Sequence, residues 1–143
     1  MARAFPFSSA KKRMSTLIQL PTGAGRLYLK GASEIITDLC SIYLAKDGST
    51  QRMDEQMKKE IMSQIDAMAS NGLRTIGIAY NDVADIEAAK KAEDMPAPDM
   101  VMVFVGLVGI RDPPRKEVPE AVRKCKLAGI KVRNLTGRAR WSG

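Results

Sequence analysis

A short run of β-favouring residues, Met14 to Leu20, is followed by the turn sequence Pro21-Thr22-Gly23-Ala24-Gly25 and a second such run, Arg26 to Lys30. The pattern predicts an antiparallel hairpin. At Gly31-Ala32-Ser33-Glu34 the periodicity changes. Ile35, Ile36, Leu39 and Cys40 then fall at helical spacing behind Ser33, a residue type that caps helices. Asp47-Gly48 marks a turn. From about Met53 to Ser70 the residues Met53, Met57, Ile61, Ile65, Met68 and Ala69 recur every three or four positions, and Asn71-Gly72 stops the run. This predicts a long amphipathic helix whose methionine stripe faces a core. Leu73 to Tyr80 alternates loosely, with Ile76, Ile78 and Tyr80 on one face, and reads as a strand.

The remainder divides differently. Asp82 to Pro98 is acidic and alanine-rich and ends in Met-Pro-Ala-Pro, which predicts a surface excursion. Met100 to Ile110 is apolar throughout, the pattern of a strand buried on both faces. Arg111-Asp112-Pro113-Pro114-Arg115 breaks it. A helix is predicted from near Glu117, with Val118, Ala121, Val122, Cys125 and Ala128 as its buried face and Gly129 as its end. Ile130 to Leu135 reads as a further strand, completing a β-α-β crossover with Thr136-Gly137 just past its carboxyl end. The fold class expected is therefore α+β. Residues 1–99 form a module with an antiparallel sheet and helices, and residues 100–137 open an α/β module that one β-α-β unit cannot complete.

Composition narrows the chemistry. The 143 residues are 45% hydrophobic and 27% charged, which is globular usage. Histidine is absent, excluding a Ser-His-Asp triad and a His-ligated zinc site. Cys40 and Cys125 are far apart and form neither a metal knuckle nor a disulfide framework, as suits a reducing compartment. No apolar run reaches the roughly 20 residues of a membrane helix, and no secretory leader pattern opens the chain, so the chain alone is expected to be soluble and cytoplasmic. The net charge of +7 is uneven. Residues 1–30 carry six bases and no acids, residues 31–110 seven bases and thirteen acids, and residues 111–143 ten bases and three acids. Two basic ends suggest an anionic ligand. Against nucleic acid stands an aromatic content of 5%, too sparse for a base-stacking platform.

No glycine-rich phosphate loop is present. Lys12, Lys30 and Arg74, however, each lie in or beside a predicted strand of the first module. If those strands are neighbours, the three cations converge on one polyphosphate. Phe7 could stack on a base. Taken singly, Phe7 reads more simply as an ordinary core or edge aromatic, and the three cations as solvent-facing charge.

Four stretches, in order, carry a resemblance. They are Phe5-Pro-Phe-Ser-Ser-Ala-Lys-Lys-Arg-Met-Ser-Thr, Leu29-Lys-Gly-Ala-Ser-Glu-Ile-Ile, Leu73-Arg-Thr-Ile-Gly-Ile-Ala-Tyr, and the segment from Val108 through Arg-Asp-Pro-Pro-Arg to Arg133. The chain resembles P-type cation-transporting ATPases, and is most similar to calcium pumps of the plasma-membrane type. The resemblance implies that residues 1–99 are the later part of the ATP-binding (N) domain. Residues 100–137 would then begin the return into a haloacid-dehalogenase-like phosphorylation (P) domain. It implies roles as well: Phe7 stacks on adenine, Lys12 lies by the nucleotide, Lys30 with Gly31 and Ala32 lines the adenine pocket, and Arg74 reaches the phosphates. Asp112 marks the interdomain hinge, and Thr136 and Gly137 approach the γ-phosphate. The ligands implied are ATP with its Mg²⁺, and the partner is the rest of a pump whose N domain is cytosolic and whose helices sit in a membrane.

Departures from the family pattern qualify this. A position that is often basic is Ser9, the family's Thr-Gly-Asp reads Thr136-Gly137-Arg138, and residues 138–143 match nothing in the family. The phosphorylated Asp-Lys-Thr-Gly-Thr and the later Mg²⁺ motif are absent, so no catalytic residue and no metal ligand is assigned. The expectation is a truncated calcium-pump segment that keeps part of the ATP site and cannot itself transport. The alternatives are a non-catalytic basic fragment that binds an acidic partner, and an unstable product without function.

Overall fold

The computed structural model describes residues 2–96 and 100–133. They divide into two compact units, Met1–Ile110 and Arg111–Gly143. In the first unit, strands β1 (Arg3–Ser8), β2 (Arg13–Gln19), β3 (Gly25–Ala32), β4 (Cys40–Leu44), β5 (Thr50–Arg52), β6 (Arg74–Val83) and β7 (Met102–Ile110) form one seven-stranded sheet, in the order β1-β2-β3-β6-β7-β4-β5. Helices α1 (Ser33–Asp38), α2 (Glu55–Ser70) and α3 (Ile86–Lys91) belong to the same unit. The class is α+β, as expected.

The predicted hairpin is β2–β3, antiparallel and in register from Arg13↔Gly31 to Gln19↔Gly25. Its turn is closed by Leu20 N–H donating to the Ala24 carbonyl and Gly23 N–H to the Leu20 carbonyl. The long helix starts at Glu55 because Asp54 caps it, its carboxylate accepting from Met57 N–H at 2.7 Å. Its buried positions are Ile61 and Ile65.

Strand alternation sorts the sheet into two faces. Ser15, Leu17, Leu27, Leu29 and Ala79 are buried and point to the helices. One core cluster joins Leu29, Ile36, Cys40, Met53, Ile61, Ile65, Ala79, Met102 and Phe104 beneath α1 and α2. A second joins Phe5, Leu17, Leu27, Val83, Ala89 and Met95 beneath α3. Full burial of a Leu or Ile contributes roughly 1.5–3 kcal/mol. Helix α1 sits close to the sheet because Gly77 has no side chain; a Cβ there would lie 2.8 Å from Ile36 Cβ.

Several expectations are corrected. The sheet is mixed, since β4 and β7 pair in parallel while the other pairs are antiparallel. The strand Met102–Ile110, expected to open the second module, lies between β6 and β4 in the first, so the compact units meet after Ile110 rather than after residue 99. Its apolar character reflects this inner place, but only Met102, Val103 and Phe104 are buried; Val105, Val108 and Ile110 are exposed. The acidic excursion is tied down: α3 is capped by Asp85, and Ala89 and Met95 are buried. Ser33 is the first residue of α1 rather than its cap, and its fully buried Oγ has no partner among the described residues.

In the second unit, α4 spans Val118–Leu127 with Pro119 in its first turn. None of its residues is buried, so the apolar face predicted for it has no strand to cover it among the described residues. Gly129 to Arg133 form no strand, and the rest of the predicted strand, with Thr136, Gly137 and the tail 138–143, lies outside the described residues. The second half of the β-α-β unit is thus not observed. No helix among the described residues is long and apolar enough to cross a membrane.

Burial pushes the Cys40 thiol from 9.0 up to about 12, against a smaller opposing pull from Lys58. The folded state therefore holds a proton there that the unfolded chain loses above pH 9. Stability should fall as pH rises through the window from 9.0 to about 12, which a series of thermal melts reads. In the native protein a thiol reagent should modify Cys125, which is part-exposed, and reach Cys40 only on unfolding.

Candidate functional site

The face of the sheet opposite the helices is open. On it Met14 (β2), Lys30 (β3) and Ile78 (β6) stand in one cross-strand row, and Thr16, Tyr28 and Tyr80 in the next. Met14, Thr16, Tyr28, Leu29, Lys30 and Ile78 line a groove of about 220 Å³. Register also places Phe7 on this side. Phe5 pairs with Ser15 but Ser8 pairs with Arg13, so β1 carries one extra residue at a bulge. Ser8 therefore shares the helix-facing side of Arg13, and its neighbour Phe7 projects to the open face, 59% exposed.

Arg74 begins β6, four residues before Ile78 on the same face. Four residues of strand cover about 13 Å, so Lys30 and Arg74 are spaced along the face at the scale of an extended mononucleotide. Lys12 sits in the turn that joins β1 to β2, with a left-handed φ of 51°. Its amide donates to the Ser8 carbonyl at 2.7 Å, and its own carbonyl accepts from Ala32 N–H at 2.9 Å. That last bond requires Gly31. A Cβ on Gly31 would lie 2.4 Å from the Lys12 carbonyl oxygen and 2.8 Å from Arg13 Cα. Gly31 thus lets the backbone carrying Lys12 close onto the strand carrying Lys30.

Six cations on or beside the open face fall into two groups. Arg26 is committed: it makes two bonds to Asp82, at 2.5 and 2.9 Å, and stacks over the Tyr80 ring. The Asp82 bond chiefly raises the Arg26 pKa, and the Arg26 bond lowers that of Asp82. Lys11 and Arg13 are also committed, both to Asp94 at 2.9 and 3.1 Å. Burial opposes the ionised Asp94, but Lys11, Arg13 and the Met95 amide outweigh it and hold its pKa below the ordinary carboxylate value. Lys12, Lys30 and Arg74 make no salt bridge among the described residues and are exposed. The open face therefore pairs an apolar groove with three uncommitted cations, which suits a flat ring attached to a polyanion.

Matching this sequence against protein families identifies one over residues 2–117: P-type ATPase, cytoplasmic domain N. The chain belongs to the P-type cation ATPases.

All seven strands of the P-type ATPase sheet fall within the matched residues. Similar proteins include a calcium-transporting ATPase, PAT1, of Dictyostelium discoideum, 48% identical over 133 residues, which is 93% of this chain and 11% of that protein. A probable plasma-membrane-type calcium-transporting ATPase 8 of rice is 39% identical over 92% of this chain and 13% of its own length. Human plasma membrane calcium-transporting ATPase 4 is 42% identical over 94% of this chain and 11% of its own length. The chain spans about a tenth of the length of these relatives.

Of the site residues expected from sequence, Phe7, Lys12, Lys30, Gly31, Ala32 and Arg74 come from strands or turns of the same sheet. Asp112 is an exposed residue in the connection that follows β7 and belongs to the second unit. Thr136 and Gly137 lie outside the described residues. Sequence reasoning missed Met14, Thr16, Tyr28 and Ile78 as groove residues. Their signal was strand alternation, because each shares a face with Lys30 once the register is known.

Proposed function

We propose that this chain holds ATP on the open face of its sheet, as the nucleotide-binding part of a calcium-transporting P-type ATPase. The observation carrying the reading is that Lys12, Lys30 and Arg74, which make no ion pair among the described residues, lie on or beside the face that holds an apolar groove, while the neighbouring Arg26, Lys11 and Arg13 are paired with acids. Adenine enters the groove against Phe7, Met14 and Ile78. Lys30, with Gly31 and Ala32, borders the base. Lys12 and Arg74 take the phosphates. The relatives' names supply the ion, calcium.

Mg²⁺ would accompany the nucleotide, whose phosphates are its usual oxygen ligands. In a whole pump, Asp112 and the Pro113-Pro114 pair act as a hinge that carries bound nucleotide toward the phosphorylation site, where Thr136 and Gly137 meet the γ-phosphate. The residues of this chain bind and orient; the phosphoryl-accepting step belongs to residues it does not contain.

Isothermal titration with MgATP tests the reading. Lys30→Ala should weaken binding by roughly one to two orders of magnitude, as expected for loss of one charge-assisted contact of roughly 1.5–3 kcal/mol. Unchanged affinity in Lys30→Ala would remove the cation from the site.

A further inference from the structure

We propose that Asp94 is a positioning residue for Lys12, selecting it as the one phosphate-facing cation of the Lys11-Lys12-Arg13 triplet; this rests on the nucleotide reading above. The triplet is the densest basic run near the face, yet its members differ in their surroundings. A single oxygen, Asp94 Oδ2, receives Lys11 Nζ at 2.9 Å and Arg13 Nη2 at 3.1 Å. The residues on both sides of Lys12 are therefore held by one carboxylate.

The hold extends beyond the ion pairs. Ser15 Oγ donates to the carbonyl of Met95, the residue after Asp94, at 2.8 Å, and Met95 is buried in the second core cluster. Asp94 thus comes from an anchored segment rather than from a loose loop. Arg13 is largely enclosed and its buried Nε has no partner, so Asp94 is the acid its guanidinium depends on. Between these two fixed neighbours Lys12 takes its left-handed φ of 51°, a conformation uncommon outside glycine, with its carbonyl fixed by Ala32 N–H. Fixing Lys11 and Arg13 on Asp94 leaves the Lys12 ammonium as the uncommitted charge of the three. Without Asp94, all three cations become free and the strained turn loses its restraint.

Two physical pictures give opposite signs. If the triplet acts only as a diffuse positive field, removing Asp94 adds net positive charge and tightens ATP binding. If Asp94 positions Lys12, the same change weakens it. The full chain carrying Asp94→Ala should bind MgATP about tenfold more weakly, with Asp94→Glu recovering most of the loss and adenosine affinity unchanged. In a Lys12→Ala background, Asp94→Ala should have no further effect, the non-additivity of coupled residues. Tighter or unchanged binding in Asp94→Ala, or an equal further loss without Lys12, overturns the proposal.

A nucleotide-free measurement separates this inference from the reading it rests on. Backbone chemical shifts at Lys12, which report φ, should leave the left-handed range in Asp94→Ala while shifts of the α2 core stay in place. Retention of the left-handed shifts overturns the positioning role, even in a protein that binds nucleotide. Absence of MgATP binding by the unsubstituted chain overturns the nucleotide reading, and with it the role assigned to Lys12.

Discussion

Gly31→Ala is expected to lower the melting temperature by roughly 12–24 °C and to abolish measurable MgATP binding. The added Cβ would sit 2.4 Å from the Lys12 carbonyl oxygen and 2.8 Å from Arg13 Cα and Cβ. Most of those neighbours are backbone or fixed to it, so no rotamer change relieves the clash. Either β2 withdraws from β3 at this end or the Ala32 N–H to Lys12 carbonyl bond breaks. Overpacking against fixed atoms costs about 3 kcal/mol at the upper end of the usual range. For a unit of this size each kcal/mol is about 4–8 °C. The companion Gly77→Ala isolates the effect on the site. Its Cβ meets Ile36, a side chain on the helical face, so it should lower stability but leave MgATP affinity intact in the protein that remains folded. A melting temperature for Gly31→Ala within about 2 °C of the parent would contradict the geometry.

Phe7→Ala is expected to weaken MgATP binding by one to two orders of magnitude while leaving the melting temperature nearly unchanged. Base–aromatic stacking amounts to about 1–3 kcal/mol per base by alanine substitution. Phe7 is exposed, whereas Phe5, two residues earlier, is buried in the core cluster beneath α3. The two phenylalanines of one strand should therefore exchange roles under mutation. Phe5→Ala should cost about 3–5 kcal/mol of stability, and Phe7→Ala should cost affinity. Tripolyphosphate binding should be insensitive to Phe7→Ala, since the ring addresses the base. Equal losses of nucleotide and tripolyphosphate binding would mean that the ring is structural. The β1 bulge decides this division, because without its extra residue Phe7 would fall on the same face as Phe5.

The strand positions of several candidate site residues were legible because they are marked locally, while the roles expected of them came from the family resemblance. Lys30 and Gly31 end a clear β run, Arg74 opens another, and the hairpin turn between Leu20 and Ala24 carries its own chemistry. The faces on which residues lie were less legible. A bulge reverses the side to which Phe7 points, and only pairing with β2 reveals the bulge. Non-local placement was least legible. Met102–Ile110 looked like the start of a new module because its residues are uniformly apolar, yet it inserts between β6 and β4 with a parallel partner thirty-odd positions before β6 begins. Strand β1 and the β4–β5 hairpin were not anticipated, since β1 is interrupted by Pro6 and β5 is three exposed residues. Asp94 shows the same limit: an acid in an acidic stretch, it gains meaning only when the fold brings it to Lys11 and Arg13, more than eighty positions away.

The central claim is that nucleotide occupies the open face of the sheet. Nuclear magnetic resonance of the full chain titrated with MgATP tests it most directly, because each strand reports separately on its two faces. The account predicts saturable shifts at Phe7, Lys12, Met14, Thr16, Tyr28, Lys30, Ile78 and Arg74, with Ile61 and Ile65 of α2 unmoved. Absence of shifts at millimolar MgATP, or shifts centred on the helical face, would contradict it.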